Sequence, residues 1–141
     1  MKILIFGGAG FLGSELCNQL SSTDHECYVF DNLRVGKEEY VPKNFTLYKF
    51  DITNKLDVLN VITNVSPDVV INLAAIHHIP TAEKYPNDTI NINVLGNINI
   101  LHALAINKFK GKYAFASTGG IYKDSGIVPL DESSKIDTIG I

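Results

Sequence analysis

Positive charge is in short supply in this sequence. Twelve Lys and Arg stand against fifteen Asp and Glu, giving a net charge of -3. Phosphate backbones demand a basic surface, so nucleic acid is excluded as a main partner. Uninterrupted apolar stretches are also short. None approaches the roughly 20 residues of a membrane span, so no membrane partner is expected. The opening MKILIFGGAG carries one lysine, and glycines follow its apolar run at once. That is a buried strand entering a turn rather than a secretory leader. Cysteine is rare: Cys17 and Cys27 are the only two. Their spacing fits neither a metal nor a redox motif, and both read as small core residues. Together these scarcities point to a cytoplasmic protein. Metal ligands are lacking too. His77 and His78 are adjacent and have no evident third ligand, and His25 and His102 show no partner, so no metal is expected.

What is present is a folding chain of 141 residues, 45% hydrophobic and 19% charged. That is enough for one domain around one core. Strand and helix signals alternate. KILIF at 2–6 is a β-rich run, and residues 11–20 carry Phe11, Leu12, Leu16 and Leu20 at helical spacing. Residues 27–30 (CYVF) form a second strand expectation, and 45–50 (FTLYKF) a third. Between them, 32–44 reads as loop. Thr53 is the expected N-cap of a helix over 55–65. DVVINL at 68–73 is a fourth strand, apolar enough to be covered on both faces. Pro80 and Pro86 mark 77–88 as loop. Residues 89–107 alternate like a strand at Ile90, Ile92 and Val94, yet their length favours helix. KYAFAS at 112–117 is a fifth strand, and the rest reads as loop. The fold class expected is α/β, a Rossmann-type doubly wound parallel sheet of about five strands.

Between the first strand and first helix lies Gly7-Gly8-Ala9-Gly10-Phe11-Leu12-Gly13. A tight strand-to-helix turn needs positive φ, which glycine tolerates. A pyrophosphate approaches the backbone only where no Cβ intervenes, and it then faces unpaired N–H groups at the positive end of a helix. Gly13 permits close packing of helix on strand. The strand before and helix after are the context this motif requires. Asp31 ends the second strand 18 residues after Gly13, near the roughly 20 expected of an acid that accepts from ribose hydroxyls. A carboxylate there repels the 2′-phosphate of NADP, so NAD is the expected cofactor, although Arg34 lies close by.

These segments, with FDIT at 50–53, INLAA at 71–75, NVLGN at 93–97 and STGGIY at 117–122, follow one another in order. In this the sequence resembles the extended short-chain dehydrogenase/reductase family, the NAD-dependent epimerase/dehydratases that act on nucleotide sugars. The resemblance implies that Gly7, Gly10, Phe11, Leu12 and Gly13 hold the pyrophosphate. It places Asp31, Asn32 and Leu33 around the adenosine ribose, and Asp51 and Ile52 against the adenine. Leu73, Ala74 and Ala75 would line the cofactor trough. His77 would reach the phosphate or nicotinamide ribose, Asn93 would lie beneath the cofactor, and Ser117 would lie near the nicotinamide. Thr118 matches the catalytic serine or threonine that binds the sugar hydroxyl to be oxidised, while Tyr122 matches a structural tyrosine. Sugar dehydratases follow that threonine with an Asp-Glu pair. Here Gly119 and Gly120 stand there, which favours epimerisation or simple redox chemistry.

The family's base is the tyrosine of a Tyr-x-x-x-Lys motif, and no such motif follows Thr118. Phe6 replaces a small hydroxyl residue before the glycines, and Lys123 replaces a glycine after Tyr122. The expectation is therefore the NAD-binding N-terminal portion of a nucleotide-sugar epimerase, residues 1–141, truncated before the tyrosine motif, with the substrate domain absent. As this chain alone it would be inactive, and a bare sheet edge would favour a homo-oligomer. Two alternatives are a free-standing NAD-binding or regulatory module, and an NAD-dependent sugar-nucleotide reductase or dehydrogenase.

Overall fold

A computed structural model describes residues 1–122 and 129–136 of the chain. Lys123 lies outside them. Five parallel strands form one sheet: β1 (Lys2–Phe6), β2 (Glu26–Phe30), β3 (Thr46–Tyr48), β4 (Val69–Asn72) and β5 (Lys112–Phe115). Their order is β3-β2-β1-β4-β5. Ile5 lies opposite Val29 on one side and Ile71 on the other. The order reverses direction between β1 and β4, and in open α/β sheets that switch point is where ligands bind.

Alternation along β1 builds two cores. Leu4 and Phe6 face helix α2 (Lys55–Val65) and helix α5 (Asn97–Ile106), packing with Val58, Val61, Ile62, Val70, Ile100 and Leu104. Ile3 and Ile5 face helix α1 (Phe11–Leu20) and pack with Cys17, Cys27 and Val29. Helices thus cover both faces, as a parallel sheet requires. β5 is the exception. It is an edge strand, and Phe115 on it is half exposed.

Both cysteines are free and buried, as core residues should be. Burial, then the neighbouring Cys27 and Asp31, push the Cys17 thiol from its ordinary 9.0 up to about 12. The folded state therefore holds the Cys17 proton more tightly than the unfolded chain does. The stability linked to this is fully present below pH 9 and is lost as pH rises towards 12. A denaturant midpoint falling from pH 9 upward, with no Cys17 labelling of the folded chain at pH 8, is the expected result. Rapid labelling under native conditions would contradict it.

Two local expectations need correction. The N-cap of α2 is Asn54 rather than Thr53. Asn54 Oδ1 accepts from the backbone N–H of Leu56 at 3.1 Å and of Asp57 at 3.4 Å. Thr53 instead donates its hydroxyl to Asp51 at 2.6 Å. The segment 77–88 is not a loop but holds helix α3 (Ile79–Lys84) and the start of α4 (Pro86–Ile90). Each proline sits in a first turn, where its missing N–H costs no hydrogen bond. The polar segment 32–44 contains one 3₁₀ turn, Glu38–Tyr40.

The alternating stretch after Thr89 is helical throughout. A π-helical turn, Asn91–Gly96, joins α4 to α5. The whole run Pro86–Ile106 is 21 residues, long and apolar enough by composition to cross a membrane. Asparagines interrupt its linear pattern and hid this from the sequence. Here Ile100, Ala103 and Leu104 are core residues against the sheet, and the asparagines at 93, 97 and 99 bond into the protein.

Candidate dinucleotide-binding site

The turns leaving β1 and β4 meet at the switch point. Gly7 has φ +77°, and a Cβ on it would lie 2.7 Å from the Ala74 backbone nitrogen. Its N–H donates to the Phe30 carbonyl at 2.9 Å, tying the glycine turn to the end of β2. A Cβ on Gly13 would lie 2.2 Å from the Gly7 carbonyl oxygen. Gly10 differs: the only atom near an added Cβ is the Gly7 oxygen, at 3.3 Å. Gly7 and Gly13 are therefore demanded by the protein's own packing, while Gly10 has only that one close neighbour.

Gly10 is also the N-cap of α1, and no side chain caps the helix. Phe11 stands 97% exposed and Leu12 is exposed as well, so the uncapped first turn opens to solvent. An open glycine at an uncapped helix start is an anion cradle by construction.

Asp31 is buried at the end of β2, and both of its oxygens are engaged. One accepts from the Ala9 N–H at 3.0 Å and the other from the Leu33 N–H at 2.8 Å. The carboxylate thus holds the glycine turn and a tight bend at Leu33, which has φ +56°. Each oxygen keeps a second lone pair for a ribose hydroxyl. Asn32 donates to Asp51 at 2.7 Å. Desolvation alone would raise the Asp51 pKa. Hydrogen bonds from the Thr53 hydroxyl, the Thr53 N–H and Asn32, with the Arg34 charge, outweigh it and hold the carboxyl below its usual range. Asp51 is therefore an ionised acceptor beside the bend at Leu33. Ile52 is only 5% exposed, packs in the core and accepts from the Asn99 amide at its carbonyl, at 3.0 Å.

Beyond β4, the chain 73–77 forms the other wall. The Asn93 amide closes on Ile76 from both sides, accepting its N–H at 2.8 Å and donating to its carbonyl at 2.9 Å. Asn93 therefore shapes the wall that Leu73, Ala74 and Ala75 present. Ala75 and His77 are exposed. Ser117 and Thr118 follow β5 at the same edge of the sheet. The Thr118 hydroxyl accepts the Gly120 N–H at 3.2 Å, capping a 3₁₀ turn, Gly119–Ile121, and keeps its own proton to donate.

Sequence reasoning passed over a buried network beneath this wall. Asn72 is 2% exposed in β4. Its side-chain Oδ1 accepts from the Ala74 N–H, and its Nδ2 donates to Asn97 Oδ1, each at 3.1 Å. The Tyr113 hydroxyl also donates to Asn97 Oδ1, in a short hydrogen bond. Burial raises the Tyr113 pKa, partly offset by Asn72, so the phenol stays a donor. The signal available was one amide inside the apolar run DVVINL. Among the described residues no group of acids, histidines and cysteines could hold a metal.

The model of the NAD-dependent epimerase/dehydratase family matches residues 3–139. The chain belongs to that family. A UDP-glucose 4-epimerase of Rhizobium meliloti is 35% identical over 134 residues, covering 95% of this chain and 40% of the relative. A CDP-paratose 2-epimerase of Salmonella typhi is 36% identical, over 88% of this chain and 38% of the relative. The crystal structure of Thermus thermophilus UDP-glucose 4-epimerase in complex with NAD superposes with a TM-score of 0.83 at 32% identity. It covers 98% of this chain and 43% of that one. The chain thus spans about 40% of the length of these two relatives. Rossmann-type architecture and NAD dependence are the family's properties, and the five-stranded parallel sheet is this chain's share of them.

Proposed function

We propose that residues 1–141 are the NAD-holding unit of a nucleotide-sugar epimerase. The observation that carries the reading is Gly10, an open glycine at an uncapped helix start, beside a β2-terminal aspartate. The N–H groups of Phe11 and Leu12 would bind the pyrophosphate, and Asp31 the adenosine ribose. Asp51 would accept from the adenine amine, and 73–77 with His77 would line the nicotinamide side. The coenzyme's chemistry in this reading is reversible acceptance of a hydride from a sugar carbon. Thr118 would hold the sugar hydroxyl by donating or accepting its proton, and Ser117 would sit beside the ring. The proposal assigns these residues coenzyme binding and, at Thr118, contact with the sugar hydroxyl.

Asp31→Ala tests the ribose assignment. NAD affinity should fall at least about tenfold, the ~1.5 kcal/mol of one hydrogen bond to a charged group. Discrimination against NADP should narrow with it. Equal affinity of wild type and variant for NAD would remove Asp31 from the site.

Self-association is part of the same proposal. Val94, Leu95, Ile98 and Leu101 lie exposed on one helical stretch, and β5 ends the sheet. Apolar surface of this kind and an open edge favour pairing with a second copy. Sedimentation equilibrium should show mass above the monomer at micromolar concentration; a clean monomer at high concentration counts against it.

A further inference from the structure

Each of the three ion pairs among the described residues involves at least one residue of the segment between β2 and β3. Arg34 pairs with Asp88 at 3.3 Å, Lys37 with Glu39 at 3.6 Å, and Lys49 with Glu38 at 2.6 Å. Lys37 also lies 5.5 Å from the centre of the Tyr40 ring. The Arg34 pair is the distant one in sequence. Both terminal guanidinium nitrogens lie 3.3 Å from one Asp88 oxygen, across 54 residues of sequence. Its backbone is set locally, since the Arg34 N–H donates to Asn32 Oδ1 at 3.0 Å. Arg34 is therefore three residues from the ribose-facing Asp31, within electrostatic reach of Asp51, and drawn outward to helix α4.

An arginine in this loop is the residue type that accommodates a 2′-phosphate on the adenosine ribose. A guanidinium presents a planar fork suited to phosphate, and a carboxylate competes for the same fork. We infer that Asp88 is a coenzyme-selectivity residue, acting by keeping Arg34 away from the position a ribose 2′-phosphate would occupy. Selectivity for NAD is then set twice. Asp31 repels the phosphate, and Asp88 withholds the one arginine that could compensate. Asp88 touches no part of the coenzyme in this account; it is a positioning residue. The inference rests on the coenzyme assignment proposed above and deepens it.

The pair is about half exposed on both sides, so the effect is modest, in the range of surface ion pairs. The experiment is calorimetric titration of the 141-residue chain with NAD and with NADP. In Asp88→Asn, NADP should bind about three- to fivefold more tightly relative to NAD, with NAD affinity and melting temperature unchanged. Asp88→Glu should restore the wild-type ratio. The double variant Arg34→Ala with Asp88→Asn should lose the gain, because the gain acts through the guanidinium. Asp24→Asn removes the same charge from an exposed loop before β2 and should leave the ratio where it was. A ratio unmoved by Asp88→Asn overturns the inference while wild-type NAD binding still upholds the coenzyme site. A gain that persists without Arg34, or that Asp24→Asn reproduces, is a general field effect and overturns it equally. Failure of the wild-type chain to bind NAD overturns both readings.

Discussion

Gly13→Ala should cost the fold about 3 kcal/mol, the upper part of the range for overpacking a filled site. The reason is geometric. The new Cβ would sit 2.2 Å from the Gly7 carbonyl oxygen and 2.7 Å from the Gly8 Cα, and both are backbone atoms that cannot swing aside. α1 would have to move off β1, and the Ile3, Ile5 and Cys17 core lies between them. For a chain of this size the melting temperature should fall by roughly 10 °C. NAD binding should be lost as well, since the turn that presents Phe11 and Leu12 is the part displaced. Differential scanning calorimetry reads the first effect. A melting temperature equal to wild type would show that helix and strand are not packed this closely.

Asn72→Leu should be the next most damaging change. The side chains are similar in size, so the cost is one of polarity. Leucine would leave the Ala74 N–H without its acceptor, and Asn97 without the Asn72 amide. An unpaired buried group costs about 1–3 kcal/mol; the Ala74 N–H becomes one, while Asn97 Oδ1 keeps the Tyr113 hydroxyl. A loss of about 2 kcal/mol, or roughly 6 °C in melting temperature, is expected. The effect should reach the site, because Ala74 forms the wall opposite Gly7. NAD affinity should fall even below the melting transition. Asn97→Ala, which leaves the Asn72–Ala74 bond in place, should lower stability and spare NAD affinity. If Asn72→Leu is as stable as wild type, the network is not a fastening of the wall.

Much of this was legible because local pattern and global fold agree. β1 and α1 have the boundaries their residues imply, since a β-rich run ends on glycine and apolar residues then resume at helical spacing. α2 likewise spans the expected 55–65, and only its cap moved by one residue. Asn54 and Thr53 are both competent caps, and Thr53 was claimed by Asp51, a contact no spacing rule reveals. Pro80 and Pro86 misled because proline breaks a helix interior yet begins a helix without cost. The alternation of Ile90, Ile92 and Val94 ran against helix because a π turn shifts the helical period there, and length was the signal that favoured helix. At the site, the glycines and Asp31 could be read from motif and spacing. The Asn72–Asn97–Tyr113 network and the Arg34–Asp88 pair could not, because these contacts arise between segments far apart in the chain.

Titration calorimetry of NAD into the wild-type chain and into Gly10→Val tests the central claim most directly. A Cβ at Gly10 would meet only the Gly7 carbonyl oxygen, at 3.3 Å, so valine there should lower the melting temperature far less than Gly13→Ala while projecting into the position proposed for the pyrophosphate. The account predicts one NAD bound per wild-type chain, with affinity at least about 100-fold weaker in the variant, ~2.7 kcal/mol. Equal binding by both proteins, or no binding by a folded wild-type chain, would contradict it.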